Sequence, residues 1–241
     1  MMELPKPVSG RMAPRPKLAS TIVLLREHKN APQILMGKRS KRHDFMPDVY
    51  VFPGGRVDPC DSYAPAHDHP NSRTRKILET AMLPARARAC TLAAVRETFE
   101  ETSLILGKRW AEKPKAINDA SWKAFHGQGY LPNLFNIEVF GRAITPPHCD
   151  KRFDTWFFLV RLDAQTGARA FQNSAELVDT NWFTIAQIKE LKTHRATDMM
   201  IGQLEIYLGY DTLPPDIFYS RAVRNKFKFS RFPAKFSRFL A

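Results

Sequence analysis

Apolar positions along the chain switch between two periods, and the switch marks out its elements. Residues 17–25 (KLASTIVLL) are β-branched and apolar and predict a strand. Residues 33–39 (QILMGKR), after a polar turn, pair with it as a hairpin. Residues 49–52 form a short strand that Pro53-Gly54-Gly55 stops. From 85 to about 102 the pattern is helical: at about 100° per residue, Leu92, Val95 and Phe99 share a face. A second, short helix covers 122–125. Strands follow at 137–144 and 153–162 (FDTWFFLVRL ends the second), joined by a loop holding Pro146-Pro147, and again at 177–183. Thr184-Ile-Ala-Gln187 has the spacing of a capping box and opens a helix to about 191. A last helix spans 198–208. Residues 61–83, polar and rich in His, Arg and Pro, read as an excursion from the domain. Interspersed strands and helices make the class α/β, with a mixed sheet covered on both faces. No internal repeat is visible.

Composition narrows the class of protein. A chain of 241 residues, 44% hydrophobic and 11% aromatic, can bury one substantial core, which excludes wholesale disorder. Its formal net charge of +13 favours anionic partners: phosphorylated small molecules, nucleic acid or acidic lipid. The charge is uneven. Residues 217–241 carry seven Lys or Arg and no acid, and there Phe227, Phe229, Phe232, Phe236 and Phe239 alternate with Lys226, Lys228, Arg231, Lys235 and Arg238. These residues are expected to form a basic aromatic tail whose rings pack on the domain or on a second subunit of a homodimer. The alternative is a contact surface for nucleic acid or an acidic membrane. The first twenty residues hold four basic side chains and four prolines without an apolar run, which is neither a signal peptide nor a membrane anchor. Residues 1–16 are therefore expected to be a flexible arm. Cys60, Cys90 and Cys149 lie far apart with no C-x-x-C pair, so no zinc site or disulfide framework is indicated, and a reducing, cytoplasmic setting is the expectation.

The chemistry concentrates in Leu92-Ala-Ala-Val-Arg-Glu-Thr-Phe-Glu-Glu-Thr-Ser-Leu104. On a helix, Glu97, Glu100 and Glu101 fall within about 100° of one another, opposite the apolar face. Acids at i, i+3 and i+4 repel, and a divalent cation converts the repulsion into coordination. Carboxylate oxygens suit a hard ion, Mg²⁺ or Mn²⁺. Arg96 stands i, i+4 from Glu100 and can hold it. Taken alone, such a cluster is also what a solvated acidic face looks like. The preceding Val51-Phe-Pro-Gly-Gly-Arg-Val-Asp58 is a strand entering a Gly-Gly loop, whose backbone can approach a metal or phosphate.

Together these segments resemble the Nudix hydrolase signature, G-x5-E-x7-R-E-U-x-E-E-x-G-U with U bulky and apolar. Gly55 matches the opening glycine, Arg96-Glu97 and Glu100-Glu101 the paired positions, and Leu104 the close. Asp61 stands where the first Glu is expected, Ser103 replaces the late Gly, and Thr98 is less apolar than usual. Asp61 and Arg96 are separated by 34 residues, an insertion of 27. A Nudix subgroup with such an insertion, the peroxisomal coenzyme A diphosphatases and their bacterial relatives, is similar in further stretches: Phe45-Met-Pro-Asp-Val-Tyr-Val-Phe-Pro-Gly-Gly55, Ile144-Thr-Pro-Pro and Arg152-Phe-Asp-Thr-Trp-Phe-Phe158.

The resemblance implies a Nudix-type α/β/α sandwich over residues 17–216, with an insertion at about 62–84 and a helical C-terminal part. It implies hydrolysis of a phosphoanhydride bond in a nucleoside diphosphate linked to another group, most specifically coenzyme A or acyl-coenzyme A. A general nucleoside-diphosphate hydrolase acting on ADP-ribose, NADH or capped RNA, and a catalytically inactive nucleotide-binding domain, are the alternatives. The Gly55 carbonyl and the Glu97, Glu100 and Glu101 carboxylates would hold Mg²⁺ or Mn²⁺, and the general base would be Glu97 or a partner outside the motif. Arg152 could neutralise a substrate phosphate. Glu176 could enter the site, although a surface position is its default. Asp154 is expected to orient local structure through hydrogen bonds, and His67 and His69 to be solvated. Placed between the Gly-Gly loop and the helix, residues 62–90 are expected to wall or cover the substrate pocket.

Overall fold

Strand β1 (Lys17–His28) shows how the core is divided, because its neighbours alternate between two packed faces. Ile22 and Leu24 enter one apolar cluster, Val23 and Leu25 another, and all four are at most 2% exposed. A strand apolar on both sides must be covered on both. The computed structural model describes residues 12–29, 31–41, 47–112, 114, 117–167, 170–210, 212–224 and 226–233. Residues 1–11 of the expected arm, Phe45 and Met46, and Lys235, Phe236, Arg238 and Phe239 of the expected tail lie outside the described residues.

β1 pairs with β2 (Ala31–Arg39) as the expected hairpin and, in parallel, with β8 (Phe153–Arg161). The short strands β3 (Tyr50–Val51) and β4 (Gly54–Arg56) pair with β2 and β1. β5 (Gly107–Arg109) and β6 (Tyr130–Pro132) form a separate ribbon. β7 (Glu138–Ile144) runs antiparallel to β8, and β9 (Leu177–Thr184) antiparallel to β2. Beyond β7, β10 (Ile217–Val223) joins in parallel, and β11 (Lys226–Phe232) closes that edge as a hairpin. Among the described residues the result is a nine-stranded mixed sheet, as the α/β expectation required.

Helices α1 (Ser72–Glu79), α2 (Pro84–Thr102) and α3 (Ala120–Gly127) cover one face. The helix α4 (Ala164–Gly167) lies beside β1, while α5 (Ile185–Lys189) and α6 (Arg195–Leu208) bury Ile188, Met200, Ile201 and Leu204 on the other face. Thr184 and Gln187 form the expected capping box at the start of α5. Among the described residues no helix is long and apolar enough to cross a membrane.

Two expectations need correcting, and a third takes a definite form. Residues 61–83 are not a polar excursion. Asn71 caps α1 by accepting from the Thr74 N–H at 2.9 Å, and Ala64, Thr74, Ile77 and Leu78 are buried beside α2. The His, Arg and Pro content hid a helix with a single apolar stripe. Residues 217–232 pack on the domain, one of the two readings given for the tail, and they do so as strands: their alternation of Phe with Lys or Arg is the period of a strand, and the strands extend the sheet. Finally, residues 12–16 are tied to the domain, since the Pro14 carbonyl accepts from Arg152 Nη1 at 2.7 Å.

Candidate active site

Helix α2 is buried nearly all round over residues 89–95, so its register on the sheet is fixed and its last turns are aimed accurately. Threonines inside this helix stay satisfied by bonding back one turn: Thr98 Oγ1 donates to the Ala94 carbonyl at 2.7 Å and Thr102 Oγ1 to that of Thr98 at 2.6 Å. Ser103 ends the helix in the left-handed region, φ 61° and ψ 7°, the conformation in which glycine is preferred.

Arg96 organises the site. Its side chain is 5% exposed, and it donates Nε to Asp61 Oδ1 (2.8 Å) and Nη2 to Asp61 Oδ2 (3.0 Å). Nη2 also reaches the Arg56 carbonyl at 2.9 Å, while Nη1 is shared between Glu97 Oε1 (2.9 Å) and Glu100 Oε2 (3.0 Å). Burial opposes the Arg96 charge, but the Asp61 hydrogen bonds and the surrounding carboxylates outweigh it, and its pKa is raised. Asp61, fully buried, also accepts from Trp122 Nε1 (3.0 Å) and the Asp58 N–H (2.8 Å). The 3-10 turn Pro59–Ser62 and α3 thus fix the arginine, and the arginine fixes the two glutamates.

Glu97 and Glu101 point toward β4. Glu101, 5% exposed, accepts from the Gly54 N–H at 2.9 Å. The Glu97 carboxylate lies against Gly55: a methyl group there would stand 2.5 Å from its Cδ, so only glycine leaves room for the acid. Burial, reinforced by the charges of Glu100 and Glu176, pushes Glu97 up to about 7 against the pull of Arg96. Burial and the Glu97 charge hold Glu101 well above the usual carboxylate range. Both are oxygen donors short of positive charge.

Gly54, Gly55, Arg96, Glu97 and Glu100 line one wall of a cleft of about 650 Å³, with Glu101 buried behind them and not among the lining residues. Glu176, given a surface position by default, also lines it, and its charge acts on both Glu97 and Glu101. Arg152 is not among the lining residues; its guanidinium holds the Thr145 and Pro14 carbonyls instead. Asp154 takes a two-pronged bond from Arg142 at 2.8 and 2.7 Å, the expected local role. Residues 62–90 contribute nothing to the lining, so they do not wall the cleft; α1 packs into the core cluster with α2.

Sequence reasoning missed Arg39, which lines the cleft near Glu97, Glu101 and Glu176. Burial lowers its pKa against the pull of Glu101, Glu176 and Glu97. It also missed His194, Arg195 and Phe227. Arg39 follows Lys38 at the end of β2, so the sequence held no signal that singled it out.

The expected ligand set is gathered only in part. Among the described residues no three Asp, Glu, His or Cys side chains form a ready metal cage, because Glu97 and Glu100 are drawn to Arg96. Glu97, Glu101 and Gly55 do converge. Two carboxylates suffice for an ion such as Mg²⁺, which keeps waters and takes phosphate oxygens for the rest. The donor set therefore fits a hard divalent cation.

No protein-family model matches the chain. In sequence it is 28% identical over 222 residues to a putative Nudix hydrolase 7 of Caenorhabditis elegans, covering 87% of this chain and 61% of that protein. It is 22% identical over 214 residues to the acyl-coenzyme A diphosphatase NUDT19 of Xenopus laevis, covering 68% of this chain and 56% of that one. The chain thus spans roughly six-tenths of the length of the curated relatives it matches. In structure it superposes on a Nudix hydrolase from Alicyclobacillus acidocaldarius with a TM-score of 0.61 and 23% identity, covering 83% of this chain and 99% of that one. The chain has the Nudix hydrolase fold.

The resemblance read from Gly55 to Leu104 is thereby borne out in sequence and in fold. Three of the departures from the Nudix pattern have a physical account. Asp61 reaches Arg96 with a shorter side chain because the Pro59–Ser62 turn brings it close. Ser103 adopts the glycine conformation, and Thr98 satisfies its hydroxyl inside the helix.

Proposed function

We propose that this protein is a metal-dependent Nudix hydrolase that cleaves the diphosphate of a nucleoside diphosphate linked to another group, with coenzyme A or acyl-coenzyme A as the substrate class. The observation that carries the activity is the pair of carboxylates set against the Gly-Gly loop: Glu97, lying on Gly55 and held by Arg96, and the buried Glu101, held by the Gly54 N–H. The similarity to the Xenopus laevis acyl-coenzyme A diphosphatase supports the substrate class.

Glu97, Glu101 and the Gly55 carbonyl would hold the Mg²⁺ or Mn²⁺, with Glu100 joining by turning from Arg96. When bound, the cation supplies charge neutralisation at the diphosphate oxygens and acidifies a coordinated water. The chain's own residues do the remainder. Arg96 occupies Glu97 Oε1, which leaves Oε2 as the oxygen for a water proton. Glu176, exposed at the rim, is the partner outside the motif that could take the proton instead. Arg39 offsets the charge of three acids and keeps a dianionic substrate from being repelled.

The test is a substrate panel of coenzyme A, acyl-coenzyme A, ADP-ribose, NADH and capped RNA with Mg²⁺ and Mn²⁺, run on the parent, Glu97→Gln and Glu101→Gln. Cleavage of coenzyme A to 3′,5′-ADP and a phosphopantetheine, lost by orders of magnitude in both variants, is the expected result. Preference for ADP-ribose or NADH would move the substrate class. Near-normal rates in both variants would remove the site.

A further inference from the structure

The cleft does not end at the carboxylates. Thr21 of β1, Thr155 of β8, Ala143 of β7, Ser220 of β10 and Phe227 of β11 all line it, so it crosses the sheet. At about 4.8 Å per strand, β1 to β11 is roughly 19 Å, far more than a diphosphate needs.

The β11 end has its own chemistry. The Arg195 guanidinium lies 4.1 Å over the Phe227 ring. Stacking on a ring fixes the guanidinium plane and leaves its N–H edge for a planar or tetrahedral oxyanion. Arg195 is half-buried, yet among the described residues it makes no ion pair. The nearby acid Asp198 is engaged by Thr193 Oγ1. A half-buried guanidinium without a counter-ion is open to an arriving anion.

Two histidines also line the cleft, His194 next to Arg195 in sequence and His148 from the β7–β8 loop. His194 Nδ1 accepts the Ala196 N–H at 3.2 Å, which puts the proton of the neutral ring on Nε2 as a donor. Burial lowers the His194 pKa and keeps it in that neutral form. His148, in the loop after β7, has a buried Nδ1 with no hydrogen-bond partner among the described residues. The acids lining the cleft, Asp58, Glu97, Glu100 and Glu176, all belong to segments other than α6, the β7–β8 loop and the β10–β11 hairpin. The cleft is therefore bipolar, with carboxylates for a metal-bridged diphosphate on one side and uncompensated donors on the other.

We propose that Arg195, held over the Phe227 ring beside His194, is a subsite for a phosphate monoester carried by the nucleoside half of the substrate. The assignment rests on the reading that the carboxylate wall takes the diphosphate. It requires a substrate phosphorylated in two separate places, such as a 3′-phosphorylated nucleoside diphosphate, and it disfavours ADP-ribose and NADH. It also gives the β10–β11 hairpin a task, since that hairpin brings Phe227 to the cleft.

Calorimetric titration of the full chain, metal-free and at fixed ionic strength, with 3′,5′-ADP and with 5′-ADP tests it. Each ligand carries two phosphoryl groups, as two separate monoesters in the first and as one diphosphate in the second. The parent should prefer 3′,5′-ADP by about tenfold or more, the worth of a charge-assisted pair. Arg195→Ala should erase that preference, and Arg195→Lys should restore only part of it, because an ammonium has no plane to stack. Melting temperatures measured alongside show whether each variant is folded. Equal affinity of the parent for both ligands overturns the subsite, as does an equal loss for both in folded Arg195→Ala or Arg195→Lys. A parent that shows the preference but cleaves no diphosphate overturns the hydrolase reading and leaves the subsite standing. A parent that cleaves coenzyme A and its dephospho form with equal kcat/KM, without a binding preference, does the reverse.

Discussion

Asp61→Asn isolates the buried network behind the carboxylates, because it changes one charge and almost no volume. Asp61 accepts four donors: Arg96 Nε and Nη2, Trp122 Nε1 and the Asp58 N–H, at 2.8 to 3.0 Å. An asparagine has one acceptor oxygen, so its amide nitrogen must face two of these donors whichever way it turns. If the nitrogen replaces Oδ1 it meets Arg96 Nε and Trp122 Nε1; if it replaces Oδ2 it meets Arg96 Nη2 and the Asp58 N–H. Breaking a buried ion pair costs about 3–5 kcal/mol. Arg96 keeps Glu97, Glu100 and the Arg56 carbonyl, which places this case at about 3 kcal/mol. For a chain of 241 residues, each kcal/mol moves Tm by roughly 2–4 °C, so the expected fall is about 6–12 °C. Scanning calorimetry of parent and variant at one scan rate measures it. Turnover should fall as well, since the guanidinium that aims Glu97 and Glu100 loses its anchor. A variant melting within about 1 °C of the parent would refute the reasoning.

Four further outcomes are expected. In metal-free protein, Glu97 is raised from its unfolded value to about 7, so the folded state holds more protons between about 4.5 and about 7 and stability falls as pH rises through that window; chemical denaturation across the range checks this, and a rising stability attributable to Glu97 contradicts it. Gly55→Ala puts a methyl group into the Glu97 carboxylate, and turnover should drop at least about a hundredfold while Tm moves little, because the acid can rotate away. Leu78→Ala should cost about 2–5 kcal/mol in denaturant unfolding and leave substrate ranking unchanged, since α1 is core and not a lid. Ser103→Gly relieves a left-handed residue and should raise Tm by a few degrees, worth about 1 kcal/mol; an unchanged or lower Tm would show that Ser103 is not strained.

Local periodicity determined much of this protein before any fold was known. Helix α2, the strands β1, β2, β7, β8 and β9, and the capping box of α5 are all written in residues close together in sequence. The clustering of Glu97, Glu100 and Glu101, and the reach of Arg96 to Glu100, follow from the turn of one helix. What the tertiary structure decided involves partners remote in sequence. Asp61 meets Arg96 across 35 positions because a 3-10 turn packs under α2, and its burial is invisible in a polar segment. Arg39 and Glu176 enter the cleft because β2 and β9 pair. The basic, aromatic C-terminal stretch resembles a tail until β10 pairs with β7, more than seventy positions earlier, and carries Phe227 beneath Arg195. Period and charge are properties of neighbours along the chain, whereas burial, pairing and a shared cleft depend on which distant segments the sheet brings side by side.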